Sequence, residues 1–167
     1  MMAPMQPRQD PTLEDQDDLE PAEADSPALR DAAILLARTE ADEAAAAAAR
    51  AHYETEGLPT LGVEDDLAQE LRGDEAVHAR RSSAMLNRLD GAGTLPGYAG
   101  TLYLTSRRLI HIGQVTFAVP LTQIEEVSIV GERLLLTLSS GEGVSLDVAE
   151  PRLLRVMIGM ARKTATR

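Results

Sequence analysis

The stretch 100–148 constrains this chain most. It divides into six short runs, 100–105, 108–112, 115–119, 126–130, 133–139 and 144–148, filled with β-branched and aliphatic residues. Gly113, Gly131, Gly141 and Gly143 punctuate them. Short apolar runs broken by glycine read as strands joined by tight turns. Hairpin turns are expected at 105–107, 113–114, 131–132 and 140–143. Within one run, Leu134, Leu136 and Leu138 share a face, opposite Leu135, Thr137 and Ser139. The all-leucine face is expected to point inward.

A helix follows at Pro151, with Leu153, Leu154, Met157, Ile158 and Ala161 on one stripe and Arg152, Arg155 and Arg162 mostly off it. A second helix is expected upstream. Ser26 supplies an N-cap and Pro27 the first turn, alanine dominates to about Glu56, and Gly57 with Pro59 stops it. Its large apolar residues are few: Leu29, Ile34, Leu35, Leu36 and Tyr53. Propensity rather than packing is expected to hold it, so it should stand off the domain or dock only by its two ends.

Between the helix and the strands, 57–62 reads as a linker. Residues 63–72 read as a short amphipathic helix with Leu67 and Leu71 inward. The strand region is expected to begin over 75–85, and 89–99 reads as a glycine-rich loop. The domain layout is therefore a tail over 1–25, an alanine-rich helix over 26–56, a linker over 57–62 and a domain over 63–167.

Charge divides the chain. Its net charge is −11, with eight acids and two bases in 1–30, thirteen and six in 31–100, and six and eight in 101–167. Residues 1–25 hold four prolines and the cluster Glu14, Asp15, Asp17, Asp18 and Glu20. Few apolar side chains offset the entropy of ordering them, so disorder is expected. The asymmetry would let this acidic arm lie on its own domain or on a basic partner. No concentrated basic face is present, so nucleic acid is not an expected partner. The chain has no cysteine, which excludes disulfides and thiolate metal sites. No signal peptide or apolar run long enough to span a bilayer is visible, so a cytoplasmic location is expected. Arginine outnumbers lysine fifteen to one, which suggests a GC-rich bacterial genome.

The wording of the strand region resembles that of bacterial pleckstrin-homology-like and GRAM-like domains. The carriers are Gly100-Thr-Leu-Tyr-Leu-Thr-Ser-Arg-Arg-Leu-Ile110, Asp74-Glu75 with Val77 after them, and Val119-Pro-Leu with Ile124. The resemblance spans about 67–163. It implies an α+β, mainly β fold: a partly open barrel of about seven antiparallel strands capped by the C-terminal helix. It also implies a non-catalytic module that binds proteins or lipid head groups. Phosphoinositide-binding members carry Lys and Arg between their first two strands, whereas 89–99 holds no base and one acid, Asp90.

No catalytic constellation emerges, so no enzyme, cofactor or metal is expected, and an enzyme of unidentified type stands only as the third alternative. His52, His78 and His111 are scattered, and the serines lack a His-Asp partner or a nucleophile elbow. The glycines at 91, 93 and 97 lack the frame of a phosphate loop. Arg80-Arg81 and Arg107-Arg108 are the paired bases of the strand region, and they form the candidate binding surface. Their competing reading is solvated edge positions that discourage strand aggregation. The expected partner is a protein; anionic lipid is the alternative, disfavoured by the acidic balance.

Overall fold

A computed structural model of the chain describes residue 2 and residues 26–90, 93–94 and 97–167. The expected disordered tail, Met2 apart, lies outside the described residues, as does part of the loop 89–99. The strands are β1 (Val77–Asp90), β2 (Gly93–Thr94), β3 (Tyr98–Thr105), β4 (Arg108–Gly113), β5 (Phe117–Pro120), β6 (Ile124–Val130), β7 (Arg133–Leu138) and β8 (Gly143–Asp147). The helices are α1 (Pro27–Glu56), α2 (Asp65–Ala68) and α3 (Pro151–Ala165).

Seven strands form one antiparallel sheet in the order β5-β4-β3-β1-β8-β7-β6, and β2 pairs with β1 alone. The sequence meanders outward from β1 through β5, crosses by a 3₁₀ turn over Leu121–Gln123, and returns through β8 to β1. Each short turn joins neighbours, and pairing β1 with β8 curls the sheet on itself while β5 and β6 remain its two edges. With α3 packed after β8, this is the partly open, helix-capped architecture that the pleckstrin-homology resemblance implies.

β1 departs from expectation. It runs 14 residues, past the expected end at 85 and into the first two residues of the expected loop, Leu89 and Asp90. Its side facing the main core changes parity: Ala79 is buried there before residue 83, Ala84 and Leu86 after it. The cause is a bulge. Ser83 takes a left-handed φ of 58°, and the register with β3 shifts between Arg81 and Ala84. An extra residue turns the alternation over and bends the strand. The bend lets Met85–Leu89 pair with β8. The short helix over 63–72 likewise contracts to the four residues of α2, though Leu67 is buried and Leu71 packs beside it.

The leucine face of β7 points inward as expected: Leu134, Leu136 and Leu138 are buried and Leu135 is only partly so. They meet Leu154, Met157, Ile158 and Ala161 of α3 in the main core. A smaller core on the other face of β3 and β4 gathers Leu67, Val77, Tyr103 and Ile110.

α3 is buried on two sides. Val156, with half-buried Leu153, faces α1 and packs on Ala46 and Ala49, with Tyr53 beside them. α1 therefore docks through its middle and C-terminal part, not by its two ends. Alanine is what allows this: small side chains let two helix backbones approach, and Asp42, Ala46, Ala49 and Tyr53 recur at helical spacing along one stripe.

Candidate functional site

The structure does not bring the four sequence-selected arginines onto one surface. Arg80 Nε pairs with Glu64 Oε1 at 2.9 Å, and Glu64 also accepts the Tyr103 hydroxyl. Arg81 turns across the bulge to donate to the Ala149 carbonyl and to meet Glu150 at 3.4 Å. Arg107 is exposed and pairs with Asp74 at 2.7 Å. Arg108 is in the interior, neither at a solvated edge nor on a binding surface. Arg107 stands in the β3–β4 turn, outside both strands, whereas Arg108 opens β4 with its side chain buried.

Arg108 meets Glu75 through Nε and Nη2, each 3.0 Å from a carboxylate oxygen, and Nη2 also donates to the Glu70 carbonyl. The Thr105 hydroxyl donates to Glu75 Oε1 at 2.5 Å, and the Arg72 N–H donates to Oε2 at 3.0 Å. Burial pushes the Glu75 carboxyl up, but the bonds from Arg108, Thr105 and Arg72 together outweigh it and hold it below its ordinary value. This knot ties the segment before β1 to the β3–β4 turn. Its chemistry is structural.

A second knot joins the two long helices. α3 opens at Glu150, which has a left-handed φ of 52° and gives no side-chain cap of its own. Asp42 of α1 supplies the cap from outside: its Oδ2 accepts the Arg152 N–H at 2.8 Å and its Oδ1 the Leu153 N–H at 2.9 Å. A carboxylate there satisfies two orphan donors and complements the positive end of the helix. The Arg152 guanidinium completes the knot, 3.0 Å from Glu132 and 3.6 Å from Asp42, while Thr39 also donates to Glu132. Sequence reading missed Asp42, whose only signal is its place on the Ala46–Ala49–Tyr53 stripe. Asp42→Ala is expected to cost about 1–3 kcal/mol, and Asp42→Asn less, since its amide oxygen still accepts. Urea melts of the three proteins check that order; equal stabilities would exclude the role.

α1 continues beyond this knot over a cleft of about 420 Å³, lined by Leu35, Arg38, Ala41, Val148, Ala149 and Pro151 among others. Ser83 and the turn Val130–Arg133 border an adjoining hollow that shares Val148 and Glu132 with it. The two non-glycine residues with left-handed φ among those described, Ser83 and Glu150, thus flank one region. Leu29, Ile34, Leu35 and Leu36 of the overhanging helix are each 50–59% exposed. At 100° per residue they point to different sides of it, so no one face of the domain covers them.

His111 is fully buried in β4, with Nε2 3.3 Å from the Ala84 carbonyl. A Cβ at Gly100 would lie 2.7 Å from its ring, so glycine is what admits the imidazole. Among the described residues, no helix is long and apolar enough to cross a membrane.

No family model matches the chain, and no curated protein matches it. Solved structures do resemble it. The Vps36 N-terminal PH domain aligns at 24% identity and a TM-score of 0.49, over 57% of this chain and 85% of that one. The pleckstrin homology domain of USP37 aligns at 16% identity and a TM-score of 0.40, over 49% and 98%. The C-terminal domain of an unknown protein from Leishmania infantum aligns at 14% identity and a TM-score of 0.37, over 60% and 87%.

Proposed function

We propose that this chain is a non-catalytic pleckstrin-homology-like interaction module that binds a protein partner in the bacterial cytoplasm. The observation that carries this reading is the overhang of α1. Its first turns hold out Leu29, Ile34, Leu35 and Leu36, half-exposed, beside an apolar-lined cleft, and the Asp42 knot fixes their direction. Leu29 and Leu36, seven apart, share one side of α1, and exposed apolar side chains on one side of a rigid element favour a protein surface as the complement. The Arg107 hairpin is a secondary contact in this reading.

Anionic lipid is the weaker alternative. Arg80, Arg81, Arg107 and Arg108 each face a carboxylate, and the molecule carries a net charge of −11. Long-range attraction to an anionic membrane is therefore poor.

The test compares the natural protein with Leu29→Asp/Leu36→Asp and Arg107→Glu. Affinity capture from the source cytoplasm is expected to retain a stoichiometric protein partner that the leucine variant loses at unchanged melting temperature. Anionic vesicles are expected to sediment almost none of the natural protein at physiological salt. Strong vesicle binding that weakens with salt and disappears in Arg107→Glu would overturn the reading in favour of the membrane.

A further inference from the structure

The cations of this protein differ in their pairing. Those of the sheet and its knots are neutralised: Arg80, Arg81, Arg88, Arg107, Arg108, Arg133 and Arg152 each meet an acid. Along the outer seam between α1 and α3 the pattern reverses. Arg50 of α1 and Arg155 and Lys163 of α3 are exposed and make no ion pair among the described residues. Arg50 and Arg155 line two adjoining hollows of about 370 and 230 Å³, and Lys163 lines the second, so the seam is a shallow groove with cations on both banks. Two acids also line the groove, Glu54 in the second hollow and Glu43 in the first; Glu43 is paired with Arg152, so Glu54 alone opposes the three cations.

We infer that this groove is the docking site of the chain's own acidic N-terminal segment. Charge complementarity points to it, since the chain ahead of α1 concentrates acids at Asp10, Glu14, Asp15, Asp17, Asp18, Glu20, Glu23 and Asp25. Reach permits it. Arg50 lies 24 residues along α1 from Ser26, about 36 Å at the helical rise. Asp17 and Asp10 precede Ser26 by 9 and 16 residues, and extended chain of those lengths spans about 30–55 Å. Tethering supplies the rest. A linked anion is present at an effective concentration in the millimolar range, whereas a free acidic ligand must approach a molecule of like net charge. The segment thus occupies the seam by default, and any acidic partner of this face has to displace it. This inference stands independently of the α1 overhang as a partner site.

The absence of native cysteine makes the test direct, because Gln16→Cys places a single nitroxide label in the full-length chain. At about 10 mM salt, where screening acts over about 30 Å, the label is expected to broaden the backbone amides of residues 47–50 and 155–159. At about 1 M salt, where it acts over about 3 Å, the broadening should disappear. It should also disappear at low salt in the labelled Arg50→Glu/Arg155→Glu protein, whose melting temperature should be unchanged because neither side chain makes an ion pair among the described residues. Sharp seam amides at low salt would overturn the inference. So would broadening that survives the charge reversal.

Discussion

Arg108→Met is expected to destabilise the protein by about 3–5 kcal/mol at neutral pH, measured by urea denaturation. The cost arises less from the lost bond than from what is left behind. The Glu75 side chain is fully buried, and without the guanidinium it is a charge with no counter-ion. The variant's deficit should shrink as the pH falls, because a protonated Glu75 no longer needs a cation. The natural protein should respond in the opposite direction. Its Glu75 carboxyl lies below the ordinary value of 4.5, so the stability it contributes is present above that value and is lost as the pH falls through the lower folded one. Glu75→Leu/Arg108→Met should recover much of the loss, since removing both partners leaves no unpaired charge, the remaining deficit coming from the Arg72 N–H and the Glu70 carbonyl, which lose their partners. A double variant as unstable as the single one would show that the pair positions the β3–β4 turn by more than charge.

Leu136→Ala is expected to cost about 2–5 kcal/mol, from lost transfer energy and the cavity left among side chains that only partly relax. Leu136 is 2% exposed and sits in the core with Leu134, Leu138 and Leu154. Leu135→Ala is the control, because Leu135 lies on the other face and is only partly buried. Denaturant midpoints should fall much further for position 136. Equal shifts would mean that both faces of β7 are covered.

These residues also show why some of the structure was legible and some was not. The leucines of β7 alternate in burial as they alternate in sequence, because nothing interrupts that strand. β1 carries the same code but switches its inner parity at Ser83, and a bulge leaves no mark in residue type that tells it from an ordinary serine. Arg107 and Arg108 read as a pair by adjacency, yet the first stands in the β3–β4 turn and reaches Asp74 while the second opens β4 and turns inward to Glu75. Asp42 is the clearest gap. An acid within an alanine-rich helix looks like any solvated position until the start of α3, 110 residues later, is placed beside it. The overhang was half visible: Leu29, Ile34, Leu35 and Leu36 stand out in composition, but only docking shows which part of α1 is left uncovered.

The separation between Asp42 and Arg152 bears on how the chain reaches its fold. At synthesis rates of about 5–20 residues per second, about 5–20 s pass between the appearance of the carboxylate and of the amides it caps. α1 is long and alanine-rich enough to form as a helix in that interval, so it waits as a finished rod with nothing to hold. The ring that Asp42 closes is also among the longest in the molecule, and such contacts are costly to make before the intervening sheet has assembled. The tie is therefore expected to form on the native side of the folding barrier. Asp42→Ala should leave the refolding rate nearly unchanged and speed unfolding by most of its equilibrium cost. On this view Asp42 sets the lifetime of the folded molecule, not the speed of its making.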